Sequence, residues 1–239
     1  MPYIYYGFDW TYLAIILPCL ILSFWASSHV NNTFKKYSKV ISARRLTGAQ
    51  AAQQVLRSCG VANVRIERVH GKLTDHFDTK TNVIRLSDSV YDSPSTAAIG
   101  VACHEAGHAV QYATGYFPIK IRAAIIPITN IGSKLALPLI LLGVVLSRLG
   151  EYSTILVDIG IACFALSLIF QLVTLPVEFN ASRRAIAAVE DCGILTQEEL
   201  KGAKKTLGAA AMTYVAATAV AFAQLLRILL LFGGRRRND

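Results

Sequence analysis

Charge is scarce in this chain: only 16% of its 239 residues are Asp, Glu, Lys or Arg, well below the roughly 25% of an average soluble domain. Hydrophobic residues make up 54%, so lipid is expected to form part of the solvent. The first ten residues, "MPYIYYGFDW", contain no Lys or Arg, and no A-x-A-like site follows the first apolar run. Both absences argue against a cleaved secretory signal. A retained anchor is expected instead, with Tyr5, Tyr6 and Trp10 at one end and Trp25 at the other, where interfacial rings are favoured.

Cysteine pairing is missing as well. The five cysteines are odd in number and form no C-x-x-C pair, so Cys59, Cys103 and Cys192 read as free thiols of segments facing a reducing compartment. No repeat of solenoid period and no low-complexity segment is present. The net charge of +9 could suggest nucleic acid, but the basic residues are scattered among juxtamembrane loops. Topology and anionic lipid head groups account for them, and no nucleic-acid partner is expected.

Long apolar runs are abundant. Residues 11–28, 154–177 and 209–232 have spanning length or nearly so. The run 135–147 falls short of the roughly 20 residues needed unless 125–134 joins it. Four membrane segments follow. Lys35, Lys36, Lys39, Arg44 and Arg45 come after the first span and no basic residue precedes it, which places residue 30 onward in the cytoplasm and the N-terminus outside. The tail "GGRRRND" sits awkwardly with four crossings, yet a full last span is expected. Asp158 and Gln171 read as interfacial, whereas Gln224 and Arg227 in the last span are a functional hint.

Between the first two spans the pattern changes to that of an α+β module. Thr47 caps a helix over 48–58 that Gly60 stops. Residues 61–69 read as a strand, "HGKLTDHFDTKT" as a turn, and "NVIRLS" at 82–87 as a second strand. Pro94 with Ser95 or Thr96 then opens a helix that ends near Gly115. A second polar segment, 178–208, is helical in composition, with Thr196 as a cap inside it.

The helix opened at Pro94 carries "HEAGH". His104 and His108 fall one turn apart on one face, so both imidazoles can reach one ion. Glu105 is rotated by about 100° from His104, which sets its carboxylate beside the ion as a base for water. A catalytic zinc needs three protein ligands and an open position. No histidine occurs in 109–118, which leaves His29, His70, His76 and the carboxylates. Glu178 opens the second polar segment, and the chain between it and His108 crosses the membrane twice, returning to the same side. Its competing reading is an N-cap of the helix "EFNASRRA". For a donor to the reacting carbonyl oxygen, His76, Tyr112, Tyr116, Arg183 and Arg184 are candidates by type alone.

"HEAGHAVQ", the downstream "EFNASRRA", the N-terminal anchor and the apolar hairpin between the motifs resemble the YugP-like zinc membrane peptidases of bacteria, a family of Zn-dependent neutral metallopeptidases. The likeness covers nearly the whole chain, including "GKLTDHFDTKTNVIRLSDSVYDSPS". More distantly the layout is similar to HtpX-type heat-shock proteases and CAAX prenyl proteases. The resemblance implies His104, His108 and Glu178 as ligands of one Zn2+ per chain and Glu105 as catalytic base. The distant relatives carry Glu-x-x-x-Asp where this chain has Ser182 one turn after Glu178, so Ser182 takes the place of the carboxylate that supports a ligand. In similar zincins the strand before the zinc helix is an edge that receives substrate as an added strand; "NVIRLS" is either such an edge or an ordinary sheet strand, and the substrate-binding residues stay open.

The expected molecule is therefore a mainly α-helical membrane protein with about four transmembrane helices and a small α+β, zincin-like cytosolic domain. Its segments are an anchor (1–29), the zincin-like domain (30–120) with the HExxH helix at 96–114, a transmembrane hairpin (121–177), a cytosolic helical segment with the third ligand (178–208), and a last transmembrane helix with a basic tail (209–239). It would be a multi-pass protein of the bacterial inner membrane, with the active site facing the cytoplasm. Its partners would be the bilayer, a protein or peptide substrate, and a membrane-protein partner or a second copy. The alternative is a zinc-bound membrane scaffold without turnover, against which Glu105 argues, because a structural zinc needs no base. A transporter reading would use Gln224 and Arg227 but leaves the HExxH helix unexplained.

Overall fold

The computed structural model describes residue 10 and residues 12–146 and 151–232. Tyr5, Tyr6 and the tail 233–239 lie outside the described residues. Helices dominate. After a π-helical turn over Tyr12–Ile16 come α1 (Leu17–Tyr37), α2 (Gly48–Ser58), β1 (Arg65–Val69), β2 (His76–Asp78), β3 (Val83–Ser87), α3 (Thr96–Ala113), α4 (Phe117–Val145), α5 (Glu151–Asp191) and α6 (Gln197–Phe232).

Among the described residues, four helices are long and apolar enough to cross a membrane: Tyr12–Tyr37, Phe117–Val145, Tyr152–Asp191 and Gln197–Phe232. The short run 135–147 is thus extended by the residues before it, Pro127 and Pro138 both being accommodated inside α4. α5 has 41 residues; at 1.5 Å per residue it is roughly 60 Å long, about twice the hydrocarbon thickness. Glu178 lies within this continuous helix, so the N-cap reading of Glu178 is wrong. Apolar and polar stretches share one helix, which accommodates Pro176 just before Glu178 and runs on through it.

The chain divides into two compact units. One contains Ile126–Leu172, Val215 onward and the chain up to Trp25. Within it α4 and α5 approach closely: a Cβ placed on Gly160 would stand 2.9 Å from the Ala136 carbonyl oxygen and 2.5 Å from the Ile140 side chain. Such small-residue contacts suit helices packed in lipid. Large apolar side chains point outward, among them Ile128, Ile131, Leu141, Ile155, Ile169 and Leu230. Arg227, flagged as a polar residue within a span, holds its guanidinium 5.2 Å from the centre of the Tyr12 ring, a cation–π contact.

The other unit is Ala26–Ile125 with Val173–Tyr214. Its core joins α2, β3 and α3 to the polar ends of α5 and α6, through Val55, Leu56, Ile84, Leu86, Ile99, Ala102, Val189 and Leu200. α2 starts where expected, because Thr47 and Gln50 form a reciprocal capping box. α3 starts at Ser95, whose Oγ accepts from the Ala98 amide. Thr196 and Glu199 cap the start of α6 in the same reciprocal way.

The sheet differs from expectation in two respects. The turn "HGKLTDHFDTKT" contains a third strand, β2. β3 lies in the middle, parallel to β1 and antiparallel to β2. "NVIRLS" is therefore central and not the edge that strand addition calls for, with Val83, Ile84 and Arg85 paired on both sides. Asp78 builds the tight β2–β3 connection: its carboxylate accepts from the Lys80 amide, the Thr81 hydroxyl and Arg85 Nη1. β1 and β2 are the edges.

Candidate metal centre

α3 brings the two motif histidines onto one face, with ring centres 4.6 Å apart, and α5 brings Glu178 to them. A close helix crossing makes this meeting possible. A Cβ on Gly107, between the histidines, would lie 2.6 Å from the Ala181 carbonyl oxygen of α5. Glu178 Oε2 is 3.1 Å from His104 Nε2 and 3.6 Å from His108 Nε2. Among the described residues these three form the group of His, Cys, Asp and Glu that could hold a metal ion, with ligand atoms within 4.8 Å of one another. All are largely withdrawn from solvent, Glu178 with only 2% exposure.

The hydrogen bonds behind the histidines decide which nitrogen faces the gap. Arg184 Nε donates to Asn180 Oδ1 at 2.8 Å, and a guanidinium only donates, so that atom is an acceptor. The Gln111 atom bonded to the same oxygen must be its Nε2, which also donates to the Val177 carbonyl at 2.8 Å. Gln111 Oε1 is left to accept from His108 Nδ1 at 3.0 Å. The proton of a neutral His108 therefore sits on Nδ1, and its bare Nε2 faces a carboxylate oxygen. In that neutral form two acceptors face each other, and a metal ion or an added proton between them relieves the repulsion. His104 is supported from behind by the Ser182 hydroxyl, 3.0 Å from its Nδ1. Two imidazole nitrogens and one carboxylate oxygen are a donor set suited to zinc, so the residues fit a zinc ion.

Glu105, 7% exposed, points beside this group. Burial in apolar surroundings pushes its carboxyl up to about 7, with His104 opposing the shift and the Glu178 and Asp75 charges adding to it. A cavity of about 240 Å³ adjoins it, its lining combining the polar His104, Glu105, Glu178, Ser182, Asp75 and Tyr214 with the apolar Val30, Phe34, Val101 and Leu207. Asp75 stays in place by accepting from the Ser87 amide and hydroxyl.

The donors named from sequence lie elsewhere. His76 is exposed, with Nδ1 against the Thr74 carbonyl. Tyr112 packs edge-on to Phe77, and Tyr116 lies under the Arg184 guanidinium. Arg183 is exposed. His29 and His70 are not among the clustered ligands. Sequence reasoning missed Gln111, Asn180, Arg122 and Tyr214. Arg122 Nη1 donates to Glu178 Oε1 at 2.7 Å, and Tyr214 lines the same cavity as that carboxylate. "HEAGHAVQ" held a signal for Gln111, because position i+3 from His108 is on the same face. Arg122 was masked by the topological explanation that any basic residue near a span receives.

Fold and site together define a class: a helical protein with four potential membrane spans and a candidate centre of two histidines and a carboxylate. The chain belongs to the zinc metallopeptidase family whose model, described as "Putative neutral zinc metallopeptidase", matches residues 12–233. It is similar to the "Putative membrane protease YugP" of Bacillus subtilis (strain 168), with 43% identity over 228 residues, covering 95% of this chain and 99% of the relative. No solved structure matches the chain.

Proposed function

We propose that the protein is an integral membrane zinc endopeptidase, a glutamate zincin that hydrolyses peptide bonds of membrane or membrane-proximal proteins at the cytosolic interface. The observation that carries the proposal is the cluster of His104, His108 and Glu178, whose ligand atoms lie within 4.8 Å of one another. His104, His108 and Glu178 would hold one zinc ion, which when bound would polarise a carbonyl oxygen and acidify water. Glu105 takes the proton of the attacking water on its carboxylate and returns it to the leaving amine nitrogen, so that water adds as the C–N bond breaks. Gln111 and Ser182 hold the imidazoles in orientation. The cavity walls exclude bulk water beside Glu105 and admit an apolar part of the substrate.

The interfacial placement draws on α5, in which Glu178 directly follows the apolar run 154–177. The inner-membrane location with a cytoplasmic site draws on the basic residues that follow the first span. The zincin-like cytosolic domain, with its expected bounds of 30–120, is part of the same proposal.

The test is zinc content and cleavage of casein or membrane substrates by the full-length protein in detergent. Glu105→Gln is expected to keep one zinc and lose roughly 10²–10⁴ in rate, while Glu178→Ala loses the zinc. Zinc binding without cleavage, unchanged in cells by Glu105→Gln, would establish the scaffold instead.

A further inference from the structure

The Glu178 carboxylate has its two oxygens assigned to different partners. Oε2 faces both histidine nitrogens, at 3.1 and 3.6 Å. Oε1 receives Arg122 Nη1 at 2.7 Å. Arg122 comes from the first turns of α4, an element that carries none of the metal-ligating side chains. Its Nε is buried and has no hydrogen-bond partner, so the guanidinium is not saturated by the fold. A residue present only for packing or topology has no need to place a charge on one oxygen of a carboxylate that is 2% exposed.

We propose that Arg122 is a positioning residue that locks Glu178 into one-oxygen coordination. A carboxylate with both oxygens free can take a metal through one or through both. Two-oxygen binding would add a donor to the ion and crowd the position that water and substrate must use. With Oε1 held by a charge-assisted hydrogen bond, only Oε2 is presented to the ion, and its direction is set by the Arg122 contact. The contact uses one nitrogen and is not a bidentate fork, so a lysine ammonium can replace it here, although Arg and Lys are not generally equivalent.

The inference rests on the reading of His104, His108 and Glu178 as metal ligands, and the experiment separates the two. Full-length protein in detergent is stripped of metal and titrated with Zn2+ against a chromogenic chelator, then loaded with Co2+ for its visible spectrum. Wild type, Arg122→Met, Arg122→Gln and Arg122→Lys are compared on the monodisperse fraction only. Arg122→Met is expected to weaken zinc binding roughly 10–100-fold, the usual effect of losing a partner behind a ligand. Its Co2+ absorption should weaken as coordination rises above four. Arg122→Lys should stay within a few-fold of wild type and keep the four-coordinate spectrum.

Wild-type affinity and an unchanged Co2+ spectrum in Arg122→Met overturn the proposal while leaving the metal centre intact. A folded Arg122→Lys as weak as Arg122→Met also overturns it. If Arg122→Met does not fold, the neutral donor Arg122→Gln decides, with weaker binding supporting the lock and unchanged binding refuting it. A wild type that binds neither metal refutes the ligand assignment itself.

Discussion

Gln111 is not among the three residues of the candidate metal centre, yet its side chain holds His108 from behind. Its amide is oriented by Asn180 and the Val177 carbonyl, which leaves Oε1 to hold the imidazole Nδ1 proton. Gln111→Leu removes that acceptor and should weaken zinc binding roughly 10–100-fold, measured by chelator competition. Gln111→Glu, which still accepts, should lose less. Arg122 and Ser182 act on the other two ligands in the same indirect manner, through Glu178 Oε1 and His104 Nδ1. Each candidate ligand thus has its own partner, Gln111 one turn further along α3 for His108, Ser182 of α5 for His104 and Arg122 of α4 for Glu178.

Among the elements, the crossing of α3 and α5 matters most for the site. Gly107→Ala puts a methyl 2.6 Å from a backbone oxygen, and backbone cannot yield as a flexible side chain can. Forcing the helices apart should cost about 1–3 kcal/mol and move Glu178 off the histidines, read as a lower Tm together with lost zinc. Gly208→Ala in α6 is the matched control. A Cβ there meets nothing within 4 Å, and replacing a helical glycine should gain up to about 1 kcal/mol with zinc unchanged.

The β2–β3 connection gives a prediction in pH. The Thr81 hydroxyl, then Arg85 and the Lys80 amide, hold the Asp78 carboxyl well below the usual carboxylate range. A depressed folded-state pKa means that the stabilisation is fully present above the unfolded value of about 3.9 and fades as pH falls through the lower folded value. Asp78→Asn should flatten the fall in unfolding stability below about pH 4, measured by circular dichroism in detergent. A variant curve as steep as wild type would remove Asp78 as its source.

At the scale of the whole molecule, the chain carries its own topology probe. Cys59 is exposed and Cys103 buried, all five cysteines being free thiols. Burial also pushes the Cys103 thiol far above its ordinary value, which makes it inert. If residue 30 onward faces the cytoplasm, a membrane-impermeant maleimide should label Cys59 in inside-out vesicles and not in right-side-out ones. The label should disappear in Cys59→Ser. Labelling from the outside would reverse the orientation read from the basic residues.

Sequence alone determined what is local and periodic. Four runs of apolar residues, the cap at Thr47, the helix entry at Ser95 or Thr96, and the one-turn spacing of His104 and His108 are each complete within a few turns of chain, so a short window contains their whole cause. Glu178 could be singled out because an even number of crossings returns it to the side of the motif. Tertiary structure alone decided the rest: that β3 is central and not an edge, that Glu178 sits mid-helix, that Gln111 meets Asn180, and that Arg122 holds the far oxygen of Glu178. These depend on which backbones can approach each other, as α3 and α5 do at Gly107 and Ala181. Such an approach is a property of two distant segments together and leaves no periodic mark in either.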